Sequence, residues 1–151
     1  MWCEDLTNYD FFGRKLSKKL FGEEYSTIPI AIGWLEKGKH YTTGKSPEIL
    51  VEKLYEFIKT REITHAFLGV HGCDLCNVKL PPEQLNVIDG LGSNTTFVNH
   101  KDKAYIFPDL IVHYISAHSY LPPDEFIEAV LNSKPQETIE YFKQISQNWY
   151  K

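Results

Sequence analysis

The chain has 151 residues, of which 42% are hydrophobic and 24% are charged, and its formal net charge is -4. This length suits one domain with its own hydrophobic core, and the composition excludes a disordered chain. The excess of 20 Asp and Glu over 16 Lys and Arg argues against general binding to nucleic acid. We therefore expect a single folded domain over residues 1–151.

The N-terminus and the cysteines indicate a soluble cytoplasmic protein. Residues 1–6 lack the basic start and apolar stretch of a signal peptide, and no apolar run reaches the length of a membrane span. Two of the three cysteines, Cys73 and Cys76, are close in sequence. In a reducing compartment this spacing favours metal binding or redox chemistry over a structural disulfide.

The first third of the chain predicts loops followed by a strand. Residues 1–27 show no sustained periodicity, so we expect loops that wrap the core, with a short helical turn near residues 13–20. The apolar, β-branched run at residues 28–35 predicts a strand. Pro29 favours an edge position or an irregular start, because proline has no N–H to donate to a neighbouring strand.

A helix is predicted after residue 46. Ser46 can cap its N-terminus, Pro47 suits the first helical position, and Glu48 favours the positive end of the helix dipole. The apolar positions that follow fall on one face of a helix ending near Arg61, namely 50, 51, 54, 55, 57 and 58.

The middle of the chain predicts short strands. Residues 63–70 predict a strand that leads to the cysteine pair, and residues 81–93, with two prolines and two glycines, predict a loop. Residues 95–99 and 104–107 carry β-branched and aromatic side chains on both sides of a polar turn. This pattern predicts a β-hairpin.

Three helices are predicted to close the chain. Pro108 and Asp109 can start the first, which has to end before Pro122. Pro123 can start the second, and apolar residues spaced by three within residues 135–149 predict the third. The order of elements favours an α+β fold with a small sheet, a cysteine knuckle and three C-terminal helices.

Two cysteines and two histidines have spacings typical of a metal site. Cys73 and Cys76 form a C-x2-C pair, and His113 and His118 form an H-x4-H pair on the first predicted C-terminal helix. Two thiolates and two imidazoles favour zinc, and four protein ligands leave no position for a substrate water. The sequence therefore predicts a structural zinc site, with His71 as a reserve ligand that could replace either histidine.

The histidine spacing sets a condition on the helix. Five residues of regular α-helix turn about 140° past a full turn, so His113 and His118 would not face one ion. They can do so if the helix tightens or ends near His118. Pro122 makes an ending there reasonable.

The order of cysteine turn, hairpin and helix resembles a treble-clef zinc finger. In that motif a knuckle supplies two ligands and the helix after the hairpin supplies two more. The resemblance covers about a third of the chain. It departs from the motif in the late position of the two histidines and in the long connection between the knuckle and the hairpin.

Other interpretations of these residues stay open. A thioredoxin-like pair at Cys73 and Cys76 needs a long helix after it, and the prolines at 81–82 leave little room for one. A metal-dependent hydrolase would use a histidine near the hairpin, such as His100, but the sequence has no metal-binding carboxylate pair. We interpret His100 as a solvated turn residue. Without a metal, the cysteines would be small buried side chains and the two helix histidines ordinary polar residues.

A longer pattern runs through the chain in a fixed order. Its segments are Gly33-Trp34-Leu35, His71-x-Cys73-x2-Cys76, Gly92-Ser93-Asn94, Tyr105 to Pro108, His113-Tyr114 and His118-x-Tyr120-x-Pro122-Pro123-x-Glu125-Phe126. In these segments the chain resembles a family of small uncharacterised bacterial proteins, over about two thirds of its length. The resemblance implies a common fold and no particular reaction.

The absence of a catalytic pattern favours a non-catalytic binding or adaptor module whose partner is another protein. No Ser-His-Asp order or phosphate-binding glycine loop occurs. The candidate recognition surfaces are the aromatic N-terminal segment and the corner at residues 120–123, unless Tyr120 packs against its own helices. The predicted core consists of Trp34, Leu50, Leu54, Phe57, Ile58, Phe67, Leu68, Phe107, Ile111, Ile115, Phe126, Val130 and Phe142.

Overall fold

The computed structural model describes residues 2–9, 29–60, 73, 75–76, 95–101 and 103–147, with backbone only for residues 142–147. These residues form three strands and four helices. The elements are β1 (Ile30–Ala31), α1 (Ile49–Thr60), β2 (Thr95–His100), β3 (Lys103–Pro108), α2 (Ile111–His118), α3 (Asp124–Asn132) and α4 (Pro135–Gln147). The prediction of an α+β fold with three C-terminal helices is confirmed.

The sheet is built on the predicted hairpin. Strands β2 and β3 pair antiparallel, and each is slightly longer than its predicted arm. Strand β1 pairs parallel with the other side of β3, so the strand order is β1-β3-β2. The strand predicted over residues 28–35 is shorter than expected, because Gly33 takes a left-handed backbone conformation with φ of 76°.

Residues 2–9 run beside β1 on its outer side. The Leu6 N–H donates to the Ala31 carbonyl at 2.9 Å, and the Ala31 N–H donates to the Thr7 carbonyl at 2.8 Å. Asn8 and Ile30 form an isolated antiparallel bridge. These bonds satisfy the backbone groups that an edge strand would otherwise expose. The helical turn predicted near residues 13–20, the strand at 63–70 and the loop at 81–93 lie outside the described residues.

The helices begin where the sequence signals predict, with one correction. Helix α1 buries Leu50, Leu54 and Phe57 on its apolar face. Helix α2 starts later than predicted, because Pro108 is the last residue of β3. Asp109 lies in the turn between them, and its carboxylate accepts a 2.7 Å hydrogen bond from the buried Thr96 hydroxyl.

One hydrophobic core joins the sheet to the helices. The predicted core residues found buried are Trp34, Leu50, Leu54, Phe57, Phe107, Ile111, Phe126 and Val130. Ile58 and Ile115 are half-buried against the same core. Phe67, Leu68 and the side chain of Phe142 lie outside the described residues. None of the helices in the described part of the chain is both long and apolar enough to cross a membrane.

The half-buried carboxylate of Asp5 ties three distant parts of the chain together. Asp5 Oδ1 accepts the Gly33 N–H at 2.9 Å, and Asp5 Oδ2 accepts the Tyr120 hydroxyl at 2.7 Å. Burial raises the pKa of Asp5, and the two hydrogen bonds oppose that rise. Tyr120 is fully buried. It therefore packs inside the protein and does not form a recognition surface.

We predict that Gly33→Ala destabilises the protein by about 1–3 kcal/mol, measured by chemical denaturation. A Cβ at Gly33 would strain a positive φ and approach Ile111 Cδ1 to 3.0 Å. Gly38→Ala is the matched control, because Gly38 has φ of 88° but no atom within 4 Å of the added Cβ. Equal losses in the two variants would contradict the steric part of this explanation.

The carboxylate of Glu125 binds two side chains of strand β3. Its Oε2 accepts the Tyr105 hydroxyl at 2.8 Å and lies 3.3 Å from Lys103 Nζ. These partners lower the pKa of Glu125, chiefly through the Tyr105 hydrogen bond. A carboxyl whose pKa is lowered by folding stabilises the folded state above its unfolded pKa, and that stabilisation is lost as pH falls through the folded pKa.

Tyr105→Phe should therefore cost less than about 1 kcal/mol at neutral pH, because the Glu125 side chain is 40% exposed. The cost should shrink as the solution is acidified and Glu125 becomes protonated, at a pH below the ordinary range for a glutamate carboxyl. Chemical denaturation curves of both proteins, measured from neutral to acidic pH, test this prediction. Tyr55→Phe removes a hydroxyl from a half-buried ring of α1 and serves as control. A cost that grows on acidification would refute the assignment.

Candidate metal centre

The structure brings the four predicted ligands together. Cys73 and Cys76 flank a turn in which the Cys76 N–H points to the Cys73 carbonyl, at 3.4 Å. His113 lies in the first turn of α2, and His118 is its last residue. One ligand atom from each of the four residues lies within 4.8 Å of all the others. We refer to these four residues as the Cys2His2 cluster.

The distances within the cluster suit a single small metal ion. Cys76 Sγ lies 3.1 Å from His113 Nε2 and 3.4 Å from His118 Nε2, and Cys73 Sγ lies 3.4 Å from His118 Nε2. A tetrahedral zinc ion with usual bond lengths separates a sulfur from a nitrogen ligand by about 3.6 Å. Both histidines thus present Nε2 to the sulfurs at a spacing close to that of a shared ion.

The end of α2 resolves the difficulty posed by the histidine spacing. Ser119 adopts the left-handed conformation, with φ of 54° and ψ of 26°. The N–H groups of Ser119 and Tyr120 both donate to the Tyr114 carbonyl, five and six residues earlier, so the last turn is wider than that of a regular α-helix. The predicted ending near His118 is confirmed. Ser119 terminates the helix before Pro122 is reached.

A segment distant in sequence holds this helix end. We call residues 41–44 the strap. The Leu121 N–H donates to the Thr42 carbonyl at 2.9 Å, and the Gly44 N–H donates to the Ser119 carbonyl at 3.0 Å. The Tyr41 hydroxyl donates to the His118 carbonyl at 3.3 Å. Sequence reasoning missed Tyr41, because nothing in its local pattern marks it as a support for His118.

The surroundings of Cys73 and His113 favour the neutral form of each side chain. Burial raises the pKa of Cys73 to about 11, and the neighbouring Cys76 adds to the rise. Burial also lowers the pKa of His113, and His118 contributes to the decrease. A divalent ion would offset the raised pKa of Cys73 because it attracts the thiolate, and the lowered pKa of His113 already favours the neutral imidazole that a metal ion binds. The cluster contains sulfur and nitrogen donors and no carboxylate, which fits zinc and not magnesium or calcium.

The remaining candidate residues have different environments. His71 lies outside the described residues, so its role as a reserve ligand stays a prediction. His100 was interpreted as a solvated turn residue, which is wrong: its Nδ1 lies 2.9 Å from the buried Ser133 hydroxyl, and its Nε2 is buried. The hairpin end packs against the α3–α4 junction, which shields both ring nitrogens and leaves the residue half-buried. Cys3 is buried apart from the cluster.

Comparison with known protein families shows the family of this chain. A family model described as a domain of unknown function (DUF7919) matches residues 1–131. The chain belongs to this family. The match includes all four residues of the Cys2His2 cluster and ends before α4. Searches of the curated proteins and of the solved structures found no match to the chain. The family thus adds no activity to what the geometry indicates.

We predict that Cys76→Ser weakens zinc binding by more than about 100-fold, because it removes a thiolate that would bind the ion directly. Loss of a residue that only supports a ligand already weakens metal binding by about 10- to 100-fold. Competition with a chromophoric chelator measures the affinity. Cys3→Ser is the matched control and should keep the affinity of the unmodified protein, since Cys3 lies outside the cluster. Equal weakening in both variants would exclude a specific role for the C-x2-C pair.

Proposed function

We propose that the protein binds one zinc ion through Cys73, Cys76, His113 and His118, and that this ion has a structural role in a non-catalytic binding or adaptor module. The observation that carries the proposal is the convergence of two sulfur and two nitrogen donors within 4.8 Å of one another. Four protein ligands complete a tetrahedral zinc shell and leave no position for a reactive water.

The surroundings of the cluster support a structural role. The ion would join the turn at residues 73–76 to helix α2, two parts of the chain separated by the hairpin. Cys73 and Leu75 pack against the hydrophobic core, so the ion would fix the turn onto the core as well as onto α2. The order of knuckle, hairpin and helix supports the proposed treble-clef resemblance. The bacterial origin suggested by the sequence pattern stays a prediction.

The proposed partner is another protein, and two aromatic side chains of the candidate recognition surfaces are not available to it. Tyr9 and Tyr120 are fully buried, so neither belongs to a recognition surface. A cytoplasmic location is part of the proposal, since a reducing compartment keeps Cys73 and Cys76 as thiols able to bind the ion.

A thiol redox function is the weaker candidate. A nucleophilic cysteine needs a lowered pKa, because the thiolate is the reactive form. The pKa of Cys73 is raised instead, chiefly by burial.

The metal-dependent hydrolase lacks support for a different reason. Among the described residues, the Cys2His2 cluster offers four ligands and no carboxylate that would act as a base.

Metal analysis of protein purified without a polyhistidine tag tests the proposal. We expect roughly one equivalent of zinc, and removal of the ion with a chelator should lower the melting temperature. X-ray absorption at the zinc edge should show two sulfur and two nitrogen neighbours and no water. Less than about a tenth of an equivalent of metal would refute the zinc site.

The coordination also separates the candidate functions. Three protein ligands and one oxygen would overturn the structural role and favour a hydrolase. A metal-free protein in which Cys73 and Cys76 form a reversible disulfide would favour the redox candidate. A His113→Ala variant that loses zinc but unfolds at the same temperature as the unmodified protein would show that the ion does not support the fold.

A further inference from the structure

A second candidate site lies between the N-terminal segment and the strap. A cavity of about 330 Å³ opens there, and its walls include Trp2, Glu4, Asp5, Leu35, His40 and Tyr41. This volume is at the lower end of the range for small-molecule sites, about 300–1,000 Å³. No residue of the Cys2His2 cluster lines it. The cavity is therefore separate from the proposed zinc site.

The charges at the cavity favour a cation. Two carboxylates, those of Glu4 and Asp5, line it, and none of its lining residues in the described part of the chain is a lysine or an arginine. Neither carboxylate forms an ion pair within the described part of the chain. The hydrogen bonds from Gly33 and Tyr120 hold the Asp5 carboxylate in place, and each of its oxygens keeps a second lone pair for a further donor. The carboxylate is thus oriented before any ligand arrives.

The aromatic walls favour an organic cation over a metal ion. Trp2 and Tyr41 contribute rings, and Leu35 adds an aliphatic surface. Lys39 Nζ lies 5.1 Å from the centroid of the Trp2 ring. This distance is within the roughly 6 Å over which an ammonium is attracted to an aromatic face. One wall of the cavity therefore already contacts an ammonium group of the chain itself.

We propose that this cavity binds a small organic amine in its protonated form. The ammonium group lies between the carboxylates of Glu4 and Asp5, and the alkyl part contacts Trp2, Tyr41 and Leu35. An anionic ligand is disfavoured because the two carboxylates would repel it. This inference goes beyond the proposed zinc-binding role and does not depend on it.

Binding of n-butylammonium to the full-length protein tests the proposal, with n-butanol and butyrate as neutral and anionic controls. Nuclear magnetic resonance follows the indole N–H of Trp2 and the backbone N–H groups of residues 3–5 and 40–42. We expect saturable shifts with n-butylammonium alone, with a dissociation constant of about 1–10 mM for so small a ligand. No shift at these positions, or equal shifts with all three compounds, would overturn the proposal.

Two substitutions with opposite effects sharpen the test. Glu4→Gln removes a carboxylate and should weaken binding by about two- to fivefold, whereas Glu52→Gln, an exposed site on α1 outside the cavity, should not change it. Lys39→Gln removes the competing ammonium and should strengthen binding by a similar factor. If Glu4→Gln and Glu52→Gln weakened binding equally, the amine would be attracted by the overall negative charge of the protein and not by this cavity. Weaker binding by Lys39→Gln would contradict competition for the Trp2 ring.

Discussion

The end of helix α2 at the left-handed residue Ser119 connects the candidate metal centre to the N-terminal segment. Helix α2 ends directly after His118, and on a regular helix the His118 side chain would lie about 140° away from that of His113. Tyr120, the residue after Ser119, lies in the core, where its hydroxyl reaches Asp5. The position of His118 and the attachment of the N-terminal segment are therefore both linked to this helix end.

This helix end is held from outside the helix. A serine gains no intrinsic stability from a positive φ, so the surrounding contacts have to maintain it. The strap supplies hydrogen bonds on both sides of Ser119, and the Tyr120 hydroxyl is bound by the half-buried carboxylate of Asp5. The cost of the left-handed residue is therefore offset by bonds to residues more than 70 positions away in the chain. Tyr41 connects the two candidate sites, because its ring lines the cavity and its hydroxyl binds the His118 carbonyl.

A zinc ion would add a cross-link of a different kind. Cys76 and His113 are 37 positions apart and face each other directly. Closing such a loop restricts the unfolded chain, and the entropic effect of the restriction grows slowly with loop length. The bonds around Ser119 position His118 without a metal, whereas the ion would fix the cysteine turn to α2.

Local sequence signals are enough to predict the described helices, the hairpin and the chemical types of the candidate ligands. The hairpin, helix α1 and the three C-terminal helices depend on turn residues, caps and apolar spacing, which are all readable within a few positions. The ligand types and the need for a helix end near His118 also follow from spacing alone. Several residues of the longer sequence pattern now have physical reasons. Gly33 has a positive φ, Trp34 donates its indole N–H to the Ile106 carbonyl at 3.1 Å, and Glu125 binds Tyr105.

The contacts between distant segments are visible only in the folded structure. The parallel pairing of β1 with β3, the Asp5 bonds to Gly33 and Tyr120, and the support of His118 by Tyr41 have no local sequence signal. His100 was assigned wrongly for the same reason, since its burial depends on Ser133, 33 positions later. Periodicity and capping report what a segment does with its neighbours along the chain. The partners of a buried polar group are set by which segments the hydrophobic core brings together.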